Sequence, residues 1–230
     1  MRRFDLVVFD WDGTLVDSTG AIVEAIQAAA VDLGLPMPTR EQASWVIGLG
    51  LLQAVSHACP TIQRDQIAAF VERYRFHYLR RDGELQMFAG VPALLQRLDA
   101  AGVPIAVATG KSRVGLNRAL ERTGLGRLFA TTRCADEGAP KPDPWMLRDI
   151  CDELGVPAPR AVMVGDTTHD VQMAQSAGAA SVGVLYGAHD RATLAAAQPD
   201  ALAESVPDVE RWLRERLALQ PLASGDAAGG

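Results

Sequence analysis

Two carboxylates that follow the first apolar segment have a spacing that suits catalysis. Asp10 and Asp12 come directly after a predicted buried strand at residues 4–9, and side chains two positions apart on an extended chain point the same way. Gly13 permits a tight turn that brings backbone N–H groups near them. Such a site could hold a divalent cation, offer a nucleophile and keep a second carboxyl group for proton transfer. An ordinary Asp–Gly turn gives the same string, so later segments must decide between the two interpretations.

Three later segments place polar groups directly after apolar runs. Thr109 and Gly110 follow residues 104–108. A hydroxyl and free N–H groups ahead of a helix suit a phosphate oxygen, although a simple turn uses the same residues. Lys141 lies in a loop stiffened by two prolines and could balance clustered carboxylates, or it could be an ordinary surface lysine. Asp166 and Asp170 follow another apolar run about one helical turn apart, so both could face one pocket, or Asp170 could cap a helix.

The elements that would position these groups alternate along the second half of the chain. Apolar runs are separated by amphipathic segments, and such alternation predicts an α/β fold of the Rossmann-like type, with a parallel sheet covered by helices on both faces. In such sheets, ligands bind at the carboxyl ends of the strands, where the candidate residues fall. The predicted strands are residues 4–9, 104–108, 129–133, 161–164, 182–185 and 201–203.

Residues 17–87 carry helical patterns and no strand signal, so we expect a helical cap inserted after the first strand. The cap is taken as residues 17–87, the core as residues 1–16 and 88–222, and residues 223–230 as a disordered tail. We expect the cap to determine substrate choice. Its cations could bind a substrate carboxylate or could simply be solvated; they are Arg64, Arg73, Arg75, His77, Arg80 and Arg81.

Composition limits the functional classes. The 230-residue chain has a net charge of −6, which provides no basic field for nucleic acid or an anionic membrane. No apolar run approaches the length of a membrane span, so we expect a soluble, cytoplasmic protein. Cys59, Cys134 and Cys151 lack metal-binding or disulfide spacing and are expected to be reduced thiols.

The order and spacing of these segments resemble the haloacid dehalogenase superfamily over residues 4 to 190. Asp10-Trp11-Asp12-Gly13-Thr14-Leu15-Val16-Asp17-Ser18 is similar to its opening motif, and Thr109 after a strand to its second. Lys141 in Lys-Pro-Asp-Pro resembles the third, and the run from Gly165 to Asp170 resembles the fourth. Within the superfamily, the chain is most similar to the phosphoglycolate phosphatase-like group.

The resemblance implies a role for each site residue. Asp10 would attack phosphorus to form an aspartyl-phosphate, and Asp12 would act as general acid and then general base. Mg²⁺ would be held by Asp10, by the backbone carbonyl of Asp12 and by Asp166, with Asp170 nearby or bound through water. Three residues, Thr109, Gly110 and Lys141, would bind the phosphoryl oxygens.

The resemblance therefore implies a Mg²⁺-dependent phosphatase that hydrolyses a small phosphorylated metabolite, with phosphoglycolate as the first candidate. The dehalogenase branch of the superfamily does not carry the second Asp, so Asp12 favours a phosphatase or phosphomutase. A β-phosphoglucomutase-like phosphotransferase and a non-catalytic binding protein on the same scaffold are the alternatives. Either a monomer or a homodimer is compatible with the sequence.

Overall fold

The apolar runs of the chain form a six-stranded parallel sheet in the computed structural model, which describes residues 4–217. The four inner strands are short and almost entirely buried, as expected for a sheet covered on both faces. They are β1 (Leu6–Phe9), β2 (Ile105–Thr109), β3 (Thr131–Cys134), β4 (Ala161–Gly165), β5 (Ala180–Val184) and β6 (Ala201–Ala203).

The strand order is β3-β2-β1-β4-β5-β6, the order of a doubly wound sheet. Strand β1 pairs with β2 on one side and β4 on the other, with Phe9 opposite Val107 and Val164. The direction of winding reverses between β1 and β4, which opens a crevice at their carboxyl ends. The predicted Rossmann-like α/β fold is confirmed.

Helices occupy most of the remaining described chain. Glycines in the left-handed conformation follow several of them, as at Gly124 after α6 and Gly178 after α8. The helices are α1 (Thr19–Asp32), α2 (Arg40–Trp45), α3 (Leu51–Ala58), α4 (Ile67–Asp82), α5 (Val91–Ala100), α6 (Arg113–Thr123), α7 (Trp145–Leu154), α8 (Thr168–Ala177), α9 (Arg191–Ala196) and α10 (Val206–Leu217).

Two apolar clusters cover the two faces of the sheet. One joins alternate strand residues such as Val7 and Val107 to α5, α6 and α10, while the other joins Leu6 and Val8 to α7 and α8. Trp11 is buried in the first cluster and packs against Phe129 at a ring-centroid distance of 6.2 Å. Trp11 therefore packs into the apolar core, away from the candidate site.

Helices α1 to α4 have an apolar cluster of their own, centred on Phe70 and the small residues of α1. The chain leaves and re-enters the sheet region through adjacent segments, where the N–H of Asp17 donates to the carbonyl of Gln86 at 2.9 Å. We therefore propose the division predicted from the sequence, with the cap at residues 17–87. The tail predicted at residues 223–230 lies outside the described residues.

Several element boundaries differ from those predicted. Strand β3 begins two residues after the predicted position 129 because a short 3₁₀ turn ends at Leu128. Helix α8 begins at Thr168 because Thr167, rather than Asp170, is its N-cap. The short α9 and the terminal α10 were not predicted, although Val209, Leu213 and Leu217 form an apolar stripe at a spacing of four that marks α10.

The cap rests on the core through two buried histidines. The carbonyl oxygen of Trp45 in α2 accepts hydrogen bonds from Nε2 of His169 at 2.9 Å and of His189 at 3.1 Å. The Nδ1 atom of His189 accepts from the N–H of Thr168 at 3.1 Å, an arrangement that requires the neutral ring. Burial lowers the pKa of both histidines. Both histidines therefore join the cap to the core.

The cysteines and the length of the helices bear on two further predictions. All three cysteines are buried and free of disulfide bonds, as predicted. Among the helices of residues 4–217, none combines the length and the apolar character that a bilayer crossing requires.

The buried histidines predict a pH dependence of stability. The folded protein holds His189 neutral. As pH falls through about 6.5, this histidine therefore takes up a proton in the unfolded chain but not in the folded protein. The free energy of unfolding should therefore fall less between pH 7.5 and pH 5.5 in His189→Gln than in the original protein. Urea denaturation at both pH values measures this, with exposed His57→Gln as the control. Equal losses in all three proteins would contradict it.

Candidate active site

The carboxyl ends of three adjacent strands bring the predicted site residues together. Asp10 follows β1, Asp166 follows β4, and Thr109 ends β2. Because β1 lies between β2 and β4, Asp10 occupies the centre of this edge. The loop before α7 adds Lys141, and the first turn of α8 adds Asp170. The sheet topology thus converts widely separated sequence positions into one cluster.

Three buried carboxylates meet one buried ammonium group. Asp10, Asp166 and Asp170 each offer an oxygen, and these oxygens lie within 4.8 Å of one another. The Nζ atom of Lys141 lies 2.9 Å from Oδ1 of Asp10 and 2.6 Å from Oδ1 of Asp170. If every group is ionised, three negative charges face one positive charge, which leaves two negative charges uncompensated. A divalent cation would balance this charge.

Burial opposes ionisation of the cluster. It raises the pKa of Asp10 to about 7, an effect that the ammonium group of Lys141 opposes and the carboxylate of Asp170 reinforces. Burial also raises the pKa of Asp166 well above its usual range, and the carboxylates of Asp10 and Asp170 add to this. Burial alone would lower the pKa of Lys141, but those two carboxylates raise it instead. An added cation would therefore favour the ionised carboxylates.

Backbone and hydroxyl donors hold the acidic side chains in place. Asp166 accepts hydrogen bonds from Oγ1 of Thr14 at 3.1 Å and from the N–H of Ala188 at 2.7 Å. Asp170 accepts from the N–H and the hydroxyl of Thr167 at 3.1 and 2.7 Å, in a capping box at the start of α8. Asp170 is therefore the third residue of its helix rather than the N-cap, so the N-cap alternative was wrong, and its side chain faces the cluster.

Two glycines make room for Asp166. A Cβ atom on Gly13 would lie 2.1 Å from Oδ2 of Asp166, and one on Gly187 would lie 2.2 Å from its Cβ. Gly13 also has a φ of 75°, in the left-handed region that favours glycine. The main chain thus passes in contact with the buried carboxylate on two sides.

Asp12 belongs to a separate, adjacent group. Its Oδ2 lies 3.0 Å from Nζ of Lys111, and its Oδ1 accepts from the hydroxyl of Ser18 at 2.7 Å. The same ammonium group donates to the hydroxyl of Tyr78, on cap helix α4, at 3.0 Å. Asp12 is therefore linked to the cap through one lysine.

The site residues divide between the surface of a cavity and the layer beneath it. Asp10, Asp12, Thr109 and Gly110 line a cavity between the cap and the core, whereas Lys141, Asp166 and Asp170 do not line it. The hydroxyl of Thr109 accepts from the N–H of Lys111 at 3.2 Å. The metal, substrate-binding and catalytic roles implied by the resemblance stay predictions.

Several residues of the site were missed by sequence reasoning. Lys111 directly follows the predicted phosphate loop, and its charge beside Thr109 and Gly110 was the available signal. Tyr78 carried no such signal because nothing in a helical pattern shows which of its residues reaches the core. Ala188 contributes its backbone N–H, which no side-chain pattern can reveal.

A family model described as haloacid dehalogenase-like hydrolase matches residues 7–184 of the chain. The chain belongs to this family. The match spans every candidate site residue from Asp10 to Asp170. The assignment to this superfamily is thereby confirmed, and relatives that are named as phosphatases confirm the assignment to the phosphoric monoester hydrolases.

Individual relatives of this haloacid dehalogenase-like hydrolase agree with that assignment. "Probable phosphatase IndB" of Dickeya dadantii is 37% identical over 210 residues, which cover 89% of this chain and 91% of that protein. A phosphoglycolate phosphatase of Aliivibrio fischeri is 34% identical over 210 residues, covering 86% and 92%. The crystal structure of a predicted phosphoglycolate phosphatase from Haemophilus somnus has a TM-score of 0.80 at 29% identity, covering 92% of this chain and 99% of that one. The resemblance to the phosphoglycolate phosphatase-like group is confirmed.

The close approach of Gly187 to Asp166 gives a test of the site geometry. Gly187→Ala should lower hydrolytic activity by about a hundredfold, because the added methyl group must displace the carboxylate. Gly20→Ala is the matched control, since a Cβ at Gly20 meets nothing within 4 Å. Steady-state assays with p-nitrophenyl phosphate, together with circular dichroism to confirm folding, measure the effect. Equal activity of the two variants would show that the position of Asp166 is not critical.

Proposed function

We propose that this haloacid dehalogenase-like hydrolase is a Mg²⁺-dependent phosphomonoesterase that works through an aspartyl-phosphate on Asp10. The observation that carries the proposal is the buried cluster of three carboxylates and one ammonium group at the carboxyl ends of β1 and β4. Its uncompensated negative charge suits a divalent cation. Oxygen ligands of this kind are those that Mg²⁺ prefers.

The donor set fits the metal. Oδ2 of Asp10 is buried and has no hydrogen-bond partner among residues 4–217, so it is available as a ligand or as a nucleophile. Asp10, Asp166 and the backbone carbonyl of Asp12 would hold the ion, with Asp170 supporting it. When bound, Mg²⁺ would supply the positive charge that keeps the carboxylates ionised and attracts a phosphoryl group.

The residues of the chain then account for both half-reactions. A carboxylate oxygen of Asp10 forms a bond to phosphorus while the bond from phosphorus to the alcohol oxygen breaks. Asp12 gives its proton to the departing alkoxide. In the second step, Asp12 takes a proton from a water molecule that attacks the aspartyl-phosphate, and inorganic phosphate leaves. Lys141, Thr109 and Gly110 bind the phosphoryl oxygens.

The proximity of Lys111 to Asp12 supports the division of roles between the two carboxylates. Lys111 and Ser18 hold the Asp12 side chain in position, while Asp10 faces the acidic cluster. This placement keeps Asp12 outside the acidic cluster, so that Asp10 can act as the nucleophile while Asp12 transfers protons. Phosphoglycolate, by which several relatives are named, stays a prediction because the carboxylate cluster would contact the phosphoryl group and not the alcohol.

Replacement of the nucleophile tests the mechanism. Asp10→Asn should lower p-nitrophenyl phosphate hydrolysis by at least about a thousandfold, because the amide cannot form the acyl phosphate. Asp17→Asn, at an exposed carboxylate close by in the chain, is the matched control and should retain activity. Release of inorganic phosphate, measured with glucose 1-phosphate as well, separates a phosphatase from the phosphotransferase alternative. More than trace activity in Asp10→Asn would rule out this mechanism.

Metal binding is tested without turnover. Mg²⁺ at a hundredfold excess over Kd should raise the Tm of the original protein by about 5–10 °C. Asp166→Asn should lose this shift. In EDTA, however, this variant should be at least as stable as the original protein, because burial disfavours the charged form of Asp166 and the substitution removes that carboxylate. Asp65→Asn, on the cap surface, is the control. An undiminished Mg²⁺ shift in Asp166→Asn would contradict the proposed ligand set.

A further inference from the structure

The cavity above the catalytic carboxylates is large and mostly apolar. Its volume is about 900 Å³, and Asp10, Asp12 and Thr109 lie at its inner end. Cavities of roughly 300–1,000 Å³ hold organic ligands of drug size, far larger than a two-carbon acid. Apolar side chains of the cap form much of its wall, including Ile22, Ile26, Leu51, Val55, Phe70 and Val71.

This space is not a gap left by a cap that stands away from the core. The hydroxyl of Tyr78 contacts Nζ of Lys111 at 3.0 Å, and the hydroxyl of Ser44 donates to the carbonyl oxygen of Ala188 at 2.8 Å. A Cβ atom on Gly110 would lie only 2.6 Å from the carbonyl oxygen of Gly48, so the cap turn already touches the phosphate loop. The cavity therefore persists with the two parts in contact.

The cations along the cavity are already engaged or lie at its edge. Lys111 is paired with Asp12, and Arg118 lies 2.8 Å from a carboxylate oxygen of Asp82. The structure describes all six cap cations that the sequence analysis names. One of these six, Arg75, lines the cavity, and it is exposed. Among the described residues, the interior of the cavity thus offers no unpaired cation to a second negative group on the substrate.

The apolar wall continues to the protein surface. Leu52, Leu79 and Val114 line the cavity and are 66%, 46% and 73% exposed, respectively. They belong to three different helices, so the rim is assembled from both the cap and the core. Exposed apolar residues that converge on one opening indicate a ligand that covers them.

We propose that the substrate carries an uncharged, predominantly apolar organic group esterified to phosphate, and that this group fills the cavity and reaches its rim. The proposal rests on the function proposed above, since it places the phosphoryl group at Asp10. It replaces the two-carbon acid with an ester whose affinity comes from apolar contact along the cap. The phosphate is then the only charged part of the substrate that the site must bind.

A series of linear alkyl phosphates tests the substrate class. Ethyl, butyl, hexyl and octyl phosphate have similar leaving groups, so differences in kcat/KM report the apolar contacts. We expect kcat/KM to rise about threefold to fourfold per added methylene until the cavity is filled, and phosphoglycolate to be no better than ethyl phosphate. A flat series, or phosphoglycolate as the best substrate, would overturn the inference and leave the phosphatase mechanism intact. Failure to hydrolyse any of these esters or p-nitrophenyl phosphate would overturn both.

Variants at the rim provide an independent arm of the test. Val114→Gln should lower kcat/KM for octyl phosphate by about threefold to tenfold and leave that for ethyl phosphate within twofold. Val31→Gln is the matched control, because Val31 is 58% exposed on α1 but does not line the cavity. Arg75→Gln should leave the alkyl series unchanged. Equal effects of Val114→Gln on the short and long esters would show that the rim does not contact the substrate.

Discussion

The structure depends on a buried site whose carboxylates carry more negative charge than its lysine can neutralise. Asp10 and Asp170 contact the ammonium group of Lys141, Asp166 belongs to the same cluster, and all four side chains are almost completely buried. Desolvation makes such an arrangement unfavourable, and the raised pKa values of Asp10 and Asp166 express that cost. The divalent cation proposed above would complete the charge balance. On that proposal, the site exchanges stability for the ability to bind the cation.

The surrounding main chain makes the cluster geometrically possible. A parallel sheet whose winding reverses between β1 and β4 places Asp10 beside Asp166, and the N-terminal turn of α8 adds Asp170. Gly13 and Gly187 allow the backbone to touch Asp166, which would otherwise lack space. In the proposed function, the core carries out the phosphoryl chemistry, while the cap provides the surface that contacts the alcohol. This separation explains how one core can serve phosphatases with different substrates.

Much of the core could be predicted from the sequence because its strands are continuous apolar runs and each is followed directly by a polar group. Asp10 and Asp166 were located in this way, since parallel strands end at one edge of a sheet. The cap was harder: its helices were recognised from their periodicity, but the contacts of Tyr78 with Lys111 depend on how two packed parts are oriented. The same holds for the hydrogen bonds that join Trp45 to His169. Such contacts arise from tertiary packing, which local patterns do not encode.

The most direct measurement of the central claim is a crystal structure of the protein grown with Mg²⁺. The account predicts an ion bound between Asp10 and Asp166, with the ammonium group of Lys141 still beside Asp10. It also predicts that the ion lies at the inner end of the cavity that receives the substrate. An ion bound elsewhere, or no ion at a Mg²⁺ concentration that supports full activity, would contradict the account.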